Sequence, residues 1–467
     1  MSARAESPRD GRFAPRRAQA AAHGRFALRR SRATACARRH RRLAAPLGAA
    51  ALAGLLGAGA LLAIGGSAER RIWFVPSSGR GGMPGWLGGP FHGLGFALQP
   101  PDGALMLVVM FVCYLVALAC ARSGAISPRL AVGSVVAAHA IFLLGPPALF
   151  SADVFGYIDY ARLAVVHGLD PYTHGAVAAA HDPVVRFVRW HDVATPYGPL
   201  FTLASLPLAW LSVPAALWAC KVVAVAASLG CIALVWRIAQ RRGTSPVAPI
   251  LFVGLNPLLL AYGVGGAHND FLLLVLALGA VLLVLEERDA GGGALGIAAV
   301  AVKASAGLLL PFMLLGARHR RRMLAGGLAA AVALLVVAAL AFGGSALSVV
   351  SQLHEQQRFV AADSVPRRLA WLLGLHSLPG GLRLAFVLAF ALALAWLLWA
   401  TWRRRLDWLT AAGWATLALL VSTAWLVPWY VVWLLPFAAL ARDPRLRGAT
   451  LLFCLFVVVT RVTYQLV

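Results

Sequence analysis

The residues best equipped for chemistry gather in a few short stretches. In "SADVFGYIDYAR", Asp153, Tyr157 and Tyr160 stand at i, i+4 and i+7, which is one face of a helix. Asp159 and Arg162 are three apart on another face and are spaced to pair. Ser151 is placed to cap this helix, with Asp153 in the first turn, where negative charge is favoured. In "GGAHND", His268, Asn269 and Asp270 follow Gly263, Gly265 and Gly266, which let the backbone turn sharply. Lys303 shares with Lys221 the distinction of being the chain's only lysines. It interrupts the apolar run "AAVAVKASAGLLLPF", where a buried cation requires an anionic partner, either a carboxylate or a lipid phosphate. Each feature also has a plainer reading. Asp153 then merely starts a juxtamembrane helix, Asn269 or Asp270 caps one, and Lys303 snorkels to an interface.

Between the first two stretches runs "HGLDPYTHGAVAAAHDPVVRFVRWHDVATPYGPL". Its histidines, His167, His174, His181 and His191, form no compact ligand pattern, so no metal site is assigned. Trp190, Tyr172 and Tyr197 offer flat apolar faces, and the Asp and His residues offer hydrogen bonds. That combination suits a carbohydrate.

The elements that must hold these residues are membrane helices. The 467 residues are 60% hydrophobic and 13% charged, with a mean hydropathy of +0.78. Soluble domains are nearer about half apolar and about a quarter charged. Apolar runs of about 20 residues recur from residue 44 onward, each long enough to cross about 30 Å of hydrocarbon. The runs do not alternate apolar with polar, so helices rather than a β-barrel are expected. The net charge is +25, and residues 1–42 carry 13 arginines against Glu6 and Asp10. Residues 1–43 read as a basic, disordered cytoplasmic tail that fixes orientation and touches anionic lipid, with no nucleic-acid partner. The first apolar run is long enough to remain a span rather than a cleaved signal. The six cysteines show neither metal spacing nor an external pair, which points to no disulfide and no zinc.

Basic clusters punctuate the runs at Arg122 and Arg129, Arg237–Arg242, Arg318–Arg322, Arg403–Arg405 and Arg442–Arg447. The acids Asp153, Asp159, Asp170, Asp182, Asp192, Asp270, Glu355 and Asp363 fall in the alternate loops. The positive-inside rule makes the arginine side cytoplasmic and leaves residues 148–198 and 344–380 as external loops. Counting runs gives an all-α bundle of about 13 transmembrane helices over residues 44–467. "LFTLASLPLAWL" is too short to span, and residues 291–316 must leave and return as two half-length helices with Lys303 near the external turn.

"SADVFGYIDYARLAVVHGLDPYTHG", "TPYGPL", "NPLLLAYGVGGAHNDFLLL", "VKASAGLLLPF" and "PWYVVWLLPFAAL" occur in this order. Together they resemble the bacterial polyprenol-phosphate-mannose-dependent α-1,6-mannosyltransferases of the GT-C glycosyltransferase superfamily, over roughly residues 45–460. Phe155 and Val427 depart from the pattern, and neither is charged. The resemblance implies a GT-C-like fold in the inner or plasma membrane with an extracytoplasmic site. It implies an inverting transfer of a mannosyl or related sugar from a polyprenyl-phosphate donor to a glycan or glycolipid acceptor. In that reading Asp153 is the catalytic base, and Lys303, with Arg162 second, meets the donor phosphate. His268, Asn269 and Asp270 orient the acceptor or brace Asp153, while Tyr157, Tyr172 and Tyr197 shape the sugar pocket. The pattern implies no particular cofactor and leaves room for a divalent metal. A different class, a transporter or flippase, would also use charges and broken helices, but tends to bury its acids within spans. Here the acids cluster in one large loop beside the membrane.

Overall fold

The computed structural model describes residues 44–67, 84–94, 96, 98–356 and 358–466, so the basic tail expected over residues 1–43 lies outside the described part. Among the described residues every regular element is helical. The chain opens with α1 (Ala44–Gly66), α2 (Pro100–Arg122) and α3 (Pro128–Leu144). Prolines at the first turns of α2 and α3 lack the N–H that would be orphaned there, and Ser127 caps α3 by accepting the Leu130 N–H at 3.2 Å. The amphipathic α4 (Asp153–Val165) and the short α5 (Pro199–Ser205) frame a long loop. A 3-10 segment after α5, Leu206–Trp210, packs back on α4, in keeping with a run too short to span. The chain continues with α6 (Val213–Arg241), α7 (Val247–Gly254), a π-helical turn at Leu259–Val264 and α8 (Asp270–Leu285). Next come α9 (Asp289–Val302), α10 (Leu310–Gly316), α11 (Arg320–Phe342), α12 (Val349–Gln356), α13 (Val365–Leu372) and α14 (Gly380–Trp402). The last elements are α15 (Trp408–Ser422), a 3-10 segment Pro428–Trp433, α16 (Leu435–Leu440) and α17 (Pro444–Leu466).

Five helices have the length and composition to cross a membrane: Ala44–Gly66, Pro101–Arg122, Val213–Arg241, Arg320–Gln356 and Gly380–Trp402. That is fewer than the expected 13 or so, because other apolar runs are broken into helices of 10–17 residues. Asn256-Pro257 divides one run. Lys303, extended at φ −155°, divides α9 from the turn leading to α10, and Pro428 divides another. The half-length pair expected over 291–316 is therefore present, with Lys303 at its junction.

α11 and α14 expose apolar side chains along their lengths, among them Leu328 at 67% and Leu392 at 72%. Apolar stripes of this extent need a hydrocarbon environment, and the chain is a multi-pass membrane protein.

Ion pairs tie one end of the bundle together. Arg242 at the end of α6 holds Asp407, the cap of α15, at 2.9 Å. Arg241 meets Glu286 beyond α8 at 3.6 Å, Arg318 meets Glu287 at 2.6 Å, and Asp289 accepts the His319 N–H at 2.6 Å. The polar stretches of interest sit at the opposite ends of α8 and α9. The length of α8 separates the two ends by about 24 Å at 1.5 Å per residue.

Candidate active site

Two turns and one buried lysine set the geometry. Lys221, fully buried on α6, donates to Pro146 O at 3.2 Å, before α4, and to Gly265 O at 2.7 Å, before α8. The same Gly265 carbonyl accepts the Leu149 N–H at 3.0 Å. The starts of α4 and α8 are thus pinned side by side, which brings Asp153 next to His268 and Asp270. The glycines of this turn serve close packing rather than left-handed backbone: a Cβ on Gly265 would lie 2.0 Å from Ala261 O. The left-handed residue is Ala267, at φ 55°. Lys221→Met leaves the Pro146 carbonyl without its donor. The expected result is about 1–3 kcal/mol of lost stability, read as a lower Tm in detergent. Unchanged values would remove Lys221 from this role.

Asp153 opens α4 with Ala152 as the cap. Ser151, the expected cap, stands one residue before it, its hydroxyl accepting the Asp153 N–H at 3.2 Å. The carboxylate lines a cavity of about 370 Å³ together with Tyr160, Trp190, Tyr197, Lys303 and Tyr430. Desolvation in this recess raises the Asp153 carboxyl to about 6; Lys303 opposes the rise, and Asp270 adds a smaller push upward. The indole of Trp190 and the charge of Arg189 pull it down slightly. His268 Nδ1 lies 3.9 Å from Asp153 Oδ2 and 4.0 Å from Asp270 Oδ2, with its ring stacked on Trp429 at 4.0 Å.

Behind this wall Asp270 is fully buried. Its Oδ1 accepts from Lys303 Nζ at 2.8 Å and from Trp433 Nε1 at 2.6 Å. The Lys303 ammonium also lies 5.0 Å from the Tyr430 ring centre, 5.2 Å from Trp433 and 5.9 Å from Tyr197, within the range of cation–π attraction. "PWYVVW" therefore serves as the rear support of the site. Tyr197 is brought to Lys303 by Gly198, whose N–H bonds Val302 O at 3.1 Å; a Cβ there would meet Ala301 O at 2.2 Å.

The structure sorts the expected residues. Asp153, Tyr197 and Lys303 share the cavity wall. His268, Asn269 and Asp270 are buried behind it and do not line the cavity, and Tyr157 joins them by donating to Asn269 Oδ1 at 3.3 Å. Tyr172, expected to shape the pocket, does not line this cavity. Its hydroxyl is used by Tyr197 O and Thr202 Oγ1, both at 3.1 Å, and its ring packs on Phe342. Arg162 pairs neither with Asp159 nor with the cavity. Asp182 takes its Nε through both oxygens at 2.9 Å, and His167 adds a contact of 2.7 Å to the same carboxylate. Asp182 wins because a turn already fixes it through the Val184 N–H at 3.0 Å, both of its oxygens accept the Arg162 Nε–H, and His167 meets it from a second side. Asp159 is left buried, and burial raises its carboxyl to about 7.

Some cavity residues were not among the expected ones. Trp425, Phe359, Arg189 and Arg461 line it. Arg461 had a sequence signal, a lone charge in the apolar run of the last helix; it meets Asp363 at 3.0 Å. Among the described residues no group of three or more His, Cys, Asp or Glu side chains is arranged to hold a metal ion.

Comparison with known proteins gives a consistent picture. Residues 52–319 match the family model described as alpha-(1->6)-mannopyranosyltransferase, N-terminal domain, and residues 365–463 match an MptB C-terminal domain. Alpha-(1->6)-mannopyranosyltransferase A of Corynebacterium glutamicum is 33% identical over 174 residues, 35% of this chain and 34% of that protein. The Mycobacterium tuberculosis protein of the same name is 33% identical over 177 residues, 37% of this chain and 34% of its own length. A probable alpha-(1->6)-mannopyranosyltransferase of Mycolicibacterium smegmatis is 32% identical over 155 residues, 32% and 27% of the two chains. The matched segments span about a third of these relatives' length. No solved structure matches the chain.

Proposed function

The chain belongs to the alpha-(1→6)-mannopyranosyltransferase family, and on that premise we propose that it transfers a mannosyl residue from a polyprenyl-phosphate sugar to a glycan or glycolipid acceptor. The observation that carries this reading is that Asp153 and Lys303 line one cavity, at the end of the bundle away from the arginine clusters. By the positive-inside rule the arginine end is cytoplasmic and the cavity faces the outer side. The broken apolar runs count as further crossings, about 13 in all. Loops 148–198 and 344–380 are the external parts of one transferase domain over residues 44–467.

The reaction is a single displacement. An acceptor hydroxyl oxygen attacks the anomeric carbon from the face opposite the phosphate. The bond from that carbon to the phosphate oxygen breaks, and its electron pair leaves with the lipid phosphate. Asp153 takes the hydroxyl proton. Lys303, oriented by its hydrogen bond to Asp270, faces the negative charge growing on the phosphate. A β-linked donor then gives an α-glycoside, the anomer in the relatives' name. Arg162, committed to Asp182, takes no part at the phosphate.

Two measurements test the reading. Membranes containing the protein, given a panel of radiolabelled polyprenyl-phosphate sugars, should label a glycan acceptor from the mannosyl donor. Transfer from none of the panel would refute the activity. The second is a pH profile. A base must be ionised, so kcat/KM should rise with pH through about 6 and level off above it, with activity at pH 5 about tenfold below the plateau. A flat profile from pH 5 to 8 would remove a titrating base from the rate.

A further inference from the structure

We infer that the acceptor sugar binds on an aromatic platform formed by Trp190, Phe359 and Trp425; this rests on the glycosyl-transfer reading and assigns the acceptor's place within it. The ring centres of Trp190 and Phe359 lie 5.2 Å apart, those of Trp190 and Trp425 5.8 Å, and those of Phe359 and Trp425 5.4 Å. All three line the cavity that holds Asp153, and all three are partly exposed. They come from the loop between α4 and α5, the segment after α12 and the segment before Pro428. The Ala361 N–H bonds Ala424 O at 2.8 Å and fastens the second of these segments to the third. The trio forms a cluster apart from the main apolar core.

The chemistry around the rings selects their occupant. Flat aromatic faces suit the C–H face of a pyranose, and the hydroxyls at a pyranose rim need polar partners. Gln356, Arg189, Asp363 and Arg461 line the same cavity and supply them. A prenyl chain would call for a continuous apolar groove, and this polar rim is unsuited to it. Trp190 also joins platform to base. The indole that packs against Phe359 and Trp425 lines the same cavity as Asp153. A sugar stacked on the platform therefore presents its hydroxyls beside the carboxylate that is to take the proton.

The test uses the full chain in lipid nanodiscs, with octyl α-1,6-dimannoside as acceptor probe and polyprenyl-phosphate mannose as donor. Phe359→Ala and Trp425→Ala should each raise the acceptor KM about tenfold, with donor KM within about twofold and kcat within about threefold. Trp425→Phe, which keeps a flat face, should recover most of the loss. Calorimetric titration with the dimannoside alone should show the same weakening without turnover. A rise in donor KM with acceptor KM unchanged would give the platform to the lipid and overturn the inference. So would dimannoside binding that is the same in wild type and both alanine variants, or a Trp425→Phe no better than alanine. If wild type transfers nothing yet binds the dimannoside in a Trp425-dependent way, the platform stands and the transferase reading falls.

Discussion

Replacing Asp153 with asparagine is expected to lower kcat about a thousandfold, with both KM values changing less than about threefold. Asparagine keeps the size and planarity of the carboxylate and stays compatible with the first turn of α4. The Ser151 contact is to the backbone N–H and survives the change. What disappears is the ability to accept a proton. The rise in rate through about pH 6 should disappear with it, because that limb reports the same carboxyl. If Asp153 only started a helix, the substitution would cost a few tenths of a kcal/mol and leave the rate alone. Steady-state rates of the purified variant in nanodiscs distinguish the two.

Lys303→Met is expected to lower kcat/KM about a hundredfold, the order of effect of removing one preorganised charge from a leaving group. It also leaves Asp270 fully buried without its cation, and breaking a buried pair costs about 3–5 kcal/mol. Stability and catalysis are therefore mixed in the single variant. The double variant Lys303→Met, Asp270→Asn separates them. Asparagine removes the stranded charge and can still accept from Trp433 Nε1. Thermal stability should return toward wild type while activity stays low. Transfer restored to near the wild-type rate in the double variant would mean that Lys303 is only a structural partner of Asp270.

Where the fold was legible in the sequence, the cause was local. Lys303 in an apolar run cannot sit in mid-membrane hydrocarbon, so the run had to break there, and it does. The face of α4 followed from helical spacing, although only Asp153 and Tyr160 of that face reach the cavity, while Tyr157 lies behind it. Partner choice was not legible. Asp159 and Arg162 have correct i, i+3 spacing, but Asp182, twenty residues on from Arg162, takes its Nε–H with both oxygens. Tyr172 resembled a sugar-facing ring because its loop is polar, yet Thr202 and Phe342 claim it from distant segments. The platform was the least visible feature, since its three rings meet only through the tertiary fold. Family motifs marked Asp153 and the His-Asn-Asp turn; the turn is buried and does not line the cavity.

The most direct test of the account is a rapid-quench single turnover, with wild type and Asp153→Asn each loaded with radiolabelled polyprenyl-phosphate mannose and mixed with saturating acceptor. Donor loading should be equal in the two proteins, the transfer step about a thousandfold slower in the variant, and the wild-type product α-linked. A variant whose transfer step stays within about tenfold of wild type, or a wild-type product with β linkage, would contradict the account.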